Sequence, residues 1–233
     1  MKHFDYIATT RTGFIQQIVS GWVRNGYYFY VQGEVPEGKD PQRLDEKLLH
    51  RYPIEMTAGR RYSRKQRGLA NVAYLRYERH WIMLATRGGF EEGKGYLNWF
   101  EVEGRNVKNC RRGQPIQFSG YSISYVAGGY VLGRDKQDPS GPPERDYKYR
   151  VRVQISRAAF AELKARLLQH ARSRREEWFR EQFWNVPFEP YAPVRQQLLE
   201  LLRQVNAARS AAGLDKLSPE IIRYRREPVK VFR

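Results

Sequence analysis

Thr12-Gly13-Phe14-Ile15-Gln16-Gln17-Ile18-Val19-Ser20-Gly21-Trp22-Val23-Arg24-Asn25-Gly26-Tyr27-Tyr28-Phe29-Tyr30-Val31 changes its hydrophobic period once, at Gly26. Before the glycine, Phe14, Ile15, Ile18, Val19, Trp22 and Val23 recur at i, i+1, i+4, i+5, i+8 and i+9, which gathers all six on one face of a helix. Thr10 or Thr12 is placed to cap its start and Gly26 to end it. After the glycine, a run of aromatic and β-branched residues favours a strand, closed by Gly33 and Pro36.

Working outward, Asp40-Pro41 reads as an N-cap followed by a first-turn proline, with Leu44, Leu48 and Leu49 as the buried stripe of a helix ending near Arg51. Asn71 to Thr86 is apolar on both sides of a polar Arg76–His80 stretch, so one long strand or a hairpin is expected. Further strands are expected at Leu97–Val102, Tyr121–Leu132 and Tyr147–Ile155, with an exposed loop at Asp135–Asp146. Beyond Ser156 the period becomes helical: Phe160, Leu163, Leu167, Leu168 and Ala171 fit one helix that continues as a charged stretch towards Trp184. Pro187, Pro190 and Pro193 break the chain, and Val194, Leu198, Leu201, Leu202, Val205 and Ala208 form another helix ended by Gly213. Ser218-Pro219-Glu220 opens a short last helix.

This order implies an α+β fold with an antiparallel sheet, compatible at its start with a ferredoxin-like half, followed by a helical C-terminal region. Two segments are expected: an α+β sheet domain over residues 1–155 and a helical region over 156–233, either separate or packed together as one unit.

The chain carries 42 Lys and Arg against 25 Asp and Glu, a formal net charge of +17, so its fold must place a large positive excess. A hydrophobic content of 41% excludes a disordered tail protein, because that much apolar surface offsets the entropy of ordering the chain. Cys110 is the only cysteine, which excludes an internal disulfide and a cysteine-only zinc site and fits a reducing compartment. Polar residues follow Met1, and no window approaches the apolar length of a membrane span, so a cytoplasmic location and no membrane partner are expected.

The positive charge is clustered. Arg60, Arg61, Arg64, Lys65 and Arg67 fall within eight residues without an acid, in a loop or helix start suited to a phosphate backbone. Gly104 to Arg134 holds Arg105, Lys108, Arg111, Arg112 and Arg134 and no acidic residue. In Tyr147-Lys148-Tyr149-Arg150-Val151-Arg152-Val153, strand alternation puts Lys148, Arg150 and Arg152 on one face and the tyrosines and valines on a core face. Tyr27, Tyr28, Phe29, Tyr30, Tyr121 and Tyr125 supply strand aromatics on which bases could stack. No aromatic signature of the RNA-recognition fold is present.

For chemistry, His80 in Glu78-Arg79-His80 is a candidate general base of a metal-independent ribonuclease. Glu91, Glu92, Glu101 and Glu103 are the densest carboxylates, and Glu101 with Glu103 on one strand face would be a candidate magnesium pair. His50 is placed to complement a helix end, no His or Cys spacing marks a zinc site, and Gly88-Gly89 and Gly93-Lys94-Gly95 lack phosphate-loop order. No cofactor and no metal site are expected.

The expected function is that of a basic nucleic-acid-binding protein, favouring RNA slightly over DNA, as in a ribonucleoprotein or a mobile element's machinery. A nuclease or strand-transfer enzyme, and a scaffold whose C-terminal helices bind a protein partner, are the alternatives.

Overall fold

A computed structural model describes residues 4–91, 95–131 and 144–232. The fold is α+β. The opening helix begins as α1 (Arg11–Gln16), with the Thr10 hydroxyl accepting from the Gly13 amide. It then widens into a π segment (Gln17–Trp22) and tightens into a 3₁₀ turn (Val23–Asn25). Ser20 donates back to the Gln16 carbonyl at 2.6 Å and Asn25 to the Gly21 carbonyl at 2.9 Å, side-chain bonds of the kind that loosen a helical ladder. Phe14, Ile15, Ile18, Trp22 and Val23 are buried, as the period requires. Gly26 reverses the chain at φ 95°, a conformation that costs a side-chain-bearing residue about 1–2 kcal/mol.

Strand β1 (Tyr27–Glu34) is followed by α2 (Pro41–Arg51), α3 (Ala58–Gln66), β2 (Val72–Tyr77), β3 (His80–Thr86), α4 (Trp99–Glu103) and β4 (Lys108–Asn109). These strands form an antiparallel sheet in the order β2-β3-β1-β4, with Tyr30 opposite Leu84, Tyr74 opposite Met83 and Phe29 opposite Asn109. Connectivity and strand order together are those of a split β-α-β, ferredoxin-like sheet. Asn71–Thr86 is the hairpin alternative, turning at Glu78 with φ 52°.

The core on the helix side of this sheet joins Val31, Val72, Tyr74, Met83 and Ala85 to Leu48, Tyr52, Ile54 and Trp99. It encloses one fully buried carboxylate. Asp45 of α2 accepts from the Tyr74 hydroxyl and, through both oxygens, from Arg76 at 2.8–3.0 Å. Burial and the bond to Asp45 raise the Tyr74 phenol above its ordinary pKa. Arg76, which reads as part of a polar turn in the sequence, is therefore a buried ion-pair partner.

Later come β5 (Ile116–Phe118), β6 (Tyr121–Ala127), β7 (Tyr130–Val131), β8 (Glu144–Arg145) and β9 (Tyr149–Ile155), with β5-β6-β9 as a three-stranded sheet and β7-β8 as a pair. The expected strand at Tyr121–Leu132 is interrupted at Gly128-Gly129, and Leu132 lies outside the described residues. The expected strand at Leu97–Val102 is instead α4, because Asn98 caps a helix there, accepting from the Phe100 amide at 3.1 Å.

The chain divides into two compact units. One comprises Met1–Pro115, Ser124–Val151 and Val229–Arg233, the other Ile116–Ile123 and Arg152–Pro228, so the division runs within β6 and β9. In the second unit, α5 (Arg157–His170), α6 (Glu176–Trp184) and α7 (Ala192–Ser210) enclose Leu163, Leu167, Phe179, Phe183, Val194, Leu198, Leu201 and Val205. Ser156 caps α5, and the Gln197 side chain of α7 bonds both backbone groups of Ile155 at 2.8 and 3.1 Å. None of the described helices is long and apolar enough to cross a membrane.

Candidate nucleic-acid interface

The acid-free segment Arg105–Arg112 forms a tight corner at the edge of the four-stranded sheet. Asn109 makes the corner: its side-chain oxygen accepts from the Arg111 amide at 2.9 Å and its carbonyl from the Arg112 amide at 3.0 Å. Gln114 closes it from the other side, accepting from the Asn109 amide at 2.9 Å. Cys110 is fully buried beneath, donating from its amide to Tyr28 and accepting on its carbonyl from the amide of Tyr125. Burial pushes its thiol up to about 12. Arg111 and Arg112, which follow that buried side chain, are exposed, as are Lys108 at the start of β4 and Arg105 in the 3₁₀ turn before it. None of the four has an ion-pair partner among the described residues.

Arg111 joins this corner to β9. Its guanidinium lies 4.5 Å from the centre of the Tyr149 ring and 5.7 Å from that of Tyr28. Tyr125 stacks on Tyr28 at 4.5 Å and on Tyr149 at 5.6 Å. Three rings and one cation thus form a continuous layer, each contact worth a fraction of a kcal/mol to ~1 kcal/mol. Burial and a hydrogen bond with Tyr125 raise the Tyr28 phenol above its ordinary range. Ring faces turned toward one another are not free for a base, and Tyr27, Tyr30 and Tyr121 are buried. Tyr30 donates to the Pro115 carbonyl at 2.8 Å, and Tyr121 accepts from the Glu189 amide at 2.6 Å. Those three strand aromatics therefore serve the core and not base stacking.

Tyr147 and Tyr149 are 73% and 45% exposed, which corrects the expectation that both face the core, although the Tyr149 ring is engaged by Tyr125 and Arg111. Alternation holds further along β9, where Val153 and Ile155 are buried, but its first residues run past the cover of the sheet. Lys148 and Arg150 are exposed and Arg152 is half-buried. Asp146 organises this end. Of the loop expected at Asp135–Asp146, residues 135–143 lie outside the described residues; Asp146 itself is buried at 4% exposure and accepts from the Lys148 amide and the Arg150 guanidinium. Gly128 makes room for it, since a Cβ there would stand 2.7 Å from the Asp146 side chain.

The basic run at Arg60–Arg67 has a different fate. It forms α3, capped by Thr57, and its inner face packs. Arg64 is 8% exposed, donates to the Ala70 carbonyl at 2.9 Å and pairs with Glu91 at 3.1 Å. Arg67 pairs with the other oxygen of Glu91 at 2.9 Å. Arg61 lies over the rings of Phe4 and Trp22, and burial lowers its pKa. Lys65 donates to the Asn25 carbonyl at 3.0 Å. Arg60 is exposed.

The catalytic candidates do not assemble. His80 opens β3 with its Nδ1 3.8 Å from Glu34. Because residues 99–103 are helical, Glu101 and Glu103 do not share a strand face: Glu101 accepts from Asn98 and Glu103 from Tyr52, at 2.7 and 2.6 Å. Glu91 is committed to α3, and His3, Glu92, Gly93, Lys94 and Arg134 lie outside the described residues. Among the described residues no group of three His, Cys, Asp or Glu side chains is placed to hold a metal ion. Asp45, Asp146 and the Tyr28–Tyr125–Tyr149–Arg111 layer escape sequence reasoning, because nothing in a linear pattern marks which residues of β1, β6 and β9 become neighbours.

No family model matches this chain, and no curated protein is detectably similar to it.

Proposed function

We propose that the protein binds nucleic acid, RNA in preference to DNA, through the surface that carries Arg105, Lys108, Arg111, Arg112, Lys148 and Arg150. The observation that supports this reading is the exposure of Arg105, Lys108, Arg112 and Lys148 with no carboxylate paired to them among the described residues. A structural cation is normally neutralised or buried along its stem; a row left in water suits a polyanion that releases counterions as it docks. Arg111 keeps N–H donors for phosphate while its plane rests on tyrosines, and the exposed ring of Tyr147, outside that layer, offers an unpaired base a surface, which favours RNA.

The test is a salt titration with fluorescently labelled single-stranded RNA and DNA. Neutralising roughly five phosphates gives a log–log slope of about −3 to −5. A flat titration, or no binding at low salt, overturns the proposal. Nucleic acid that copurifies with the protein from cells identifies the natural ligand.

A further inference from the structure

The second unit carries a cleft that the surface described above does not include. Its lining comes from the end of α6, the start of α7 and the chain after Pro219. Two large rings stand in it unburied: Trp184 at 52% and Tyr224 at 71% exposure. Burying either ring would stabilise the fold, so their shared exposure in a concavity marks a surface shaped for something else.

The charge there is one-sided. Arg195, Arg223, Arg225 and Arg226 line the cleft, against two carboxylates, Glu220 and Glu227. Arg223 is partly taken up by the Phe188 carbonyl at 3.0 Å. Two of the others are held by rings: Arg195 lies 4.9 Å over Tyr224, and Arg226 4.5 Å over Tyr191. Such stacking fixes a guanidinium plane while leaving its N–H donors for a phosphate. It also orients Tyr224, whose other face stays open.

We propose that this cleft binds a single-stranded nucleic-acid segment, an unpaired base stacking on Tyr224 or Trp184 while Arg195, Arg225 and Arg226 take the flanking phosphates. Exposed ring faces beside guanidiniums recognise bases that have left a helix, because in a duplex those faces are already stacked. An acidic peptide would match the charge but has no need of two open flat rings. The inference rests on the nucleic-acid reading above and adds a second contact, selective for unpaired bases.

The experiment uses the full chain and labelled oligonucleotides of equal length, one single-stranded and one duplex. In the Trp184→Ala/Tyr224→Ala variant, single-stranded affinity falls about tenfold and duplex affinity stays within twofold. Tyr224→Trp retains single-strand binding, which separates stacking from loss of structure, and an unchanged melting temperature confirms that the double variant folds. A photoreactive uridine in the single strand crosslinks to residues 184–228. If the parent binds single strands and the double variant binds them equally well, the cleft inference falls and the surface around Arg111 stands. If the parent binds neither oligonucleotide, both readings fall. Capture of an acidic peptide by the cleft with no crosslink to it also overturns the inference.

Discussion

Two regions of this molecule have nearly the same density of positive charge in sequence and opposite roles in the fold. On α3, Arg61 lies across aromatic rings, Arg64 is buried against Ala70 and Glu91, Arg67 shares that carboxylate and Lys65 reaches a backbone carbonyl. At the β4 corner, Arg105, Lys108 and Arg112 stand in water, and Arg111 rests on tyrosines. The difference lies beneath the chain. A helix with a 3.6-residue period must turn part of any eight-residue run inward, so some cations of α3 have to find partners. A tight corner over a single buried residue, Cys110, leaves the two arginines that follow it exposed. A run of charge therefore reports on a ligand only after its secondary structure is known.

The largest effect that would break this comparison is on stability. Arg64→Ala removes a buried cation from Glu91 and the side-chain donor to the Ala70 carbonyl, and should cost about 3 kcal/mol in urea unfolding. A loss under 1 kcal/mol would show that α3 cations are as dispensable as those at the corner. Conversely, replacing Arg105, Lys108, Arg112 and Lys148 together by Ala should leave stability within about 0.5 kcal/mol. The same change should weaken RNA binding at least tenfold and make the salt slope shallower by roughly 3. Equal weakening by Arg60→Ala alone would move the interface to α3.

A smaller effect sharpens the account of the corner. Arg111→Ala removes contacts to two rings and should cost about 1 kcal/mol. Cys110 supplies a pH signature of the same place. Its folded pKa, about 12, lies above its ordinary value of 9, so the folded state keeps a proton that the unfolded chain loses. Its contribution is complete below pH 9 and declines between pH 9 and 12. Unfolding curves of the parent and of Cys110→Ala should accordingly converge across that window. The smallest expected effects are at the candidate catalytic residues: His80→Ala and Glu101→Gln should each leave RNA binding within a few-fold, and loss of any nuclease activity in either variant would establish an enzyme instead.

Much of the fold is legible in local pattern. Thr10, Asp40 and Ser156 cap helices where their hydroxyls or carboxylate and the following apolar stripe place them, and the Asn71–Thr86 segment is a hairpin. Leu97–Val102 misleads because its aromatic and aliphatic residues suit either element, and one capping bond from Asn98 settles it as helix. That single exchange removes the shared face of Glu101 and Glu103.

By itself the sequence determined the α+β class, the helix starts capped by Thr10, Asp40 and Ser156, and a positive excess too large for local neutralisation, but not the break between α5 and α6. Those depend on contacts within a few residues, which a linear pattern records. Tertiary structure alone decided which cations are spent: the pairing of Arg76 with Asp45, of Arg64 with Glu91 and of Arg150 with Asp146, and the layer of Tyr28, Tyr125, Tyr149 and Arg111. Apart from Arg150 with Asp146, each joins residues more than twenty positions apart, and a charge or ring has no partner until strand order brings one within a few ångströms.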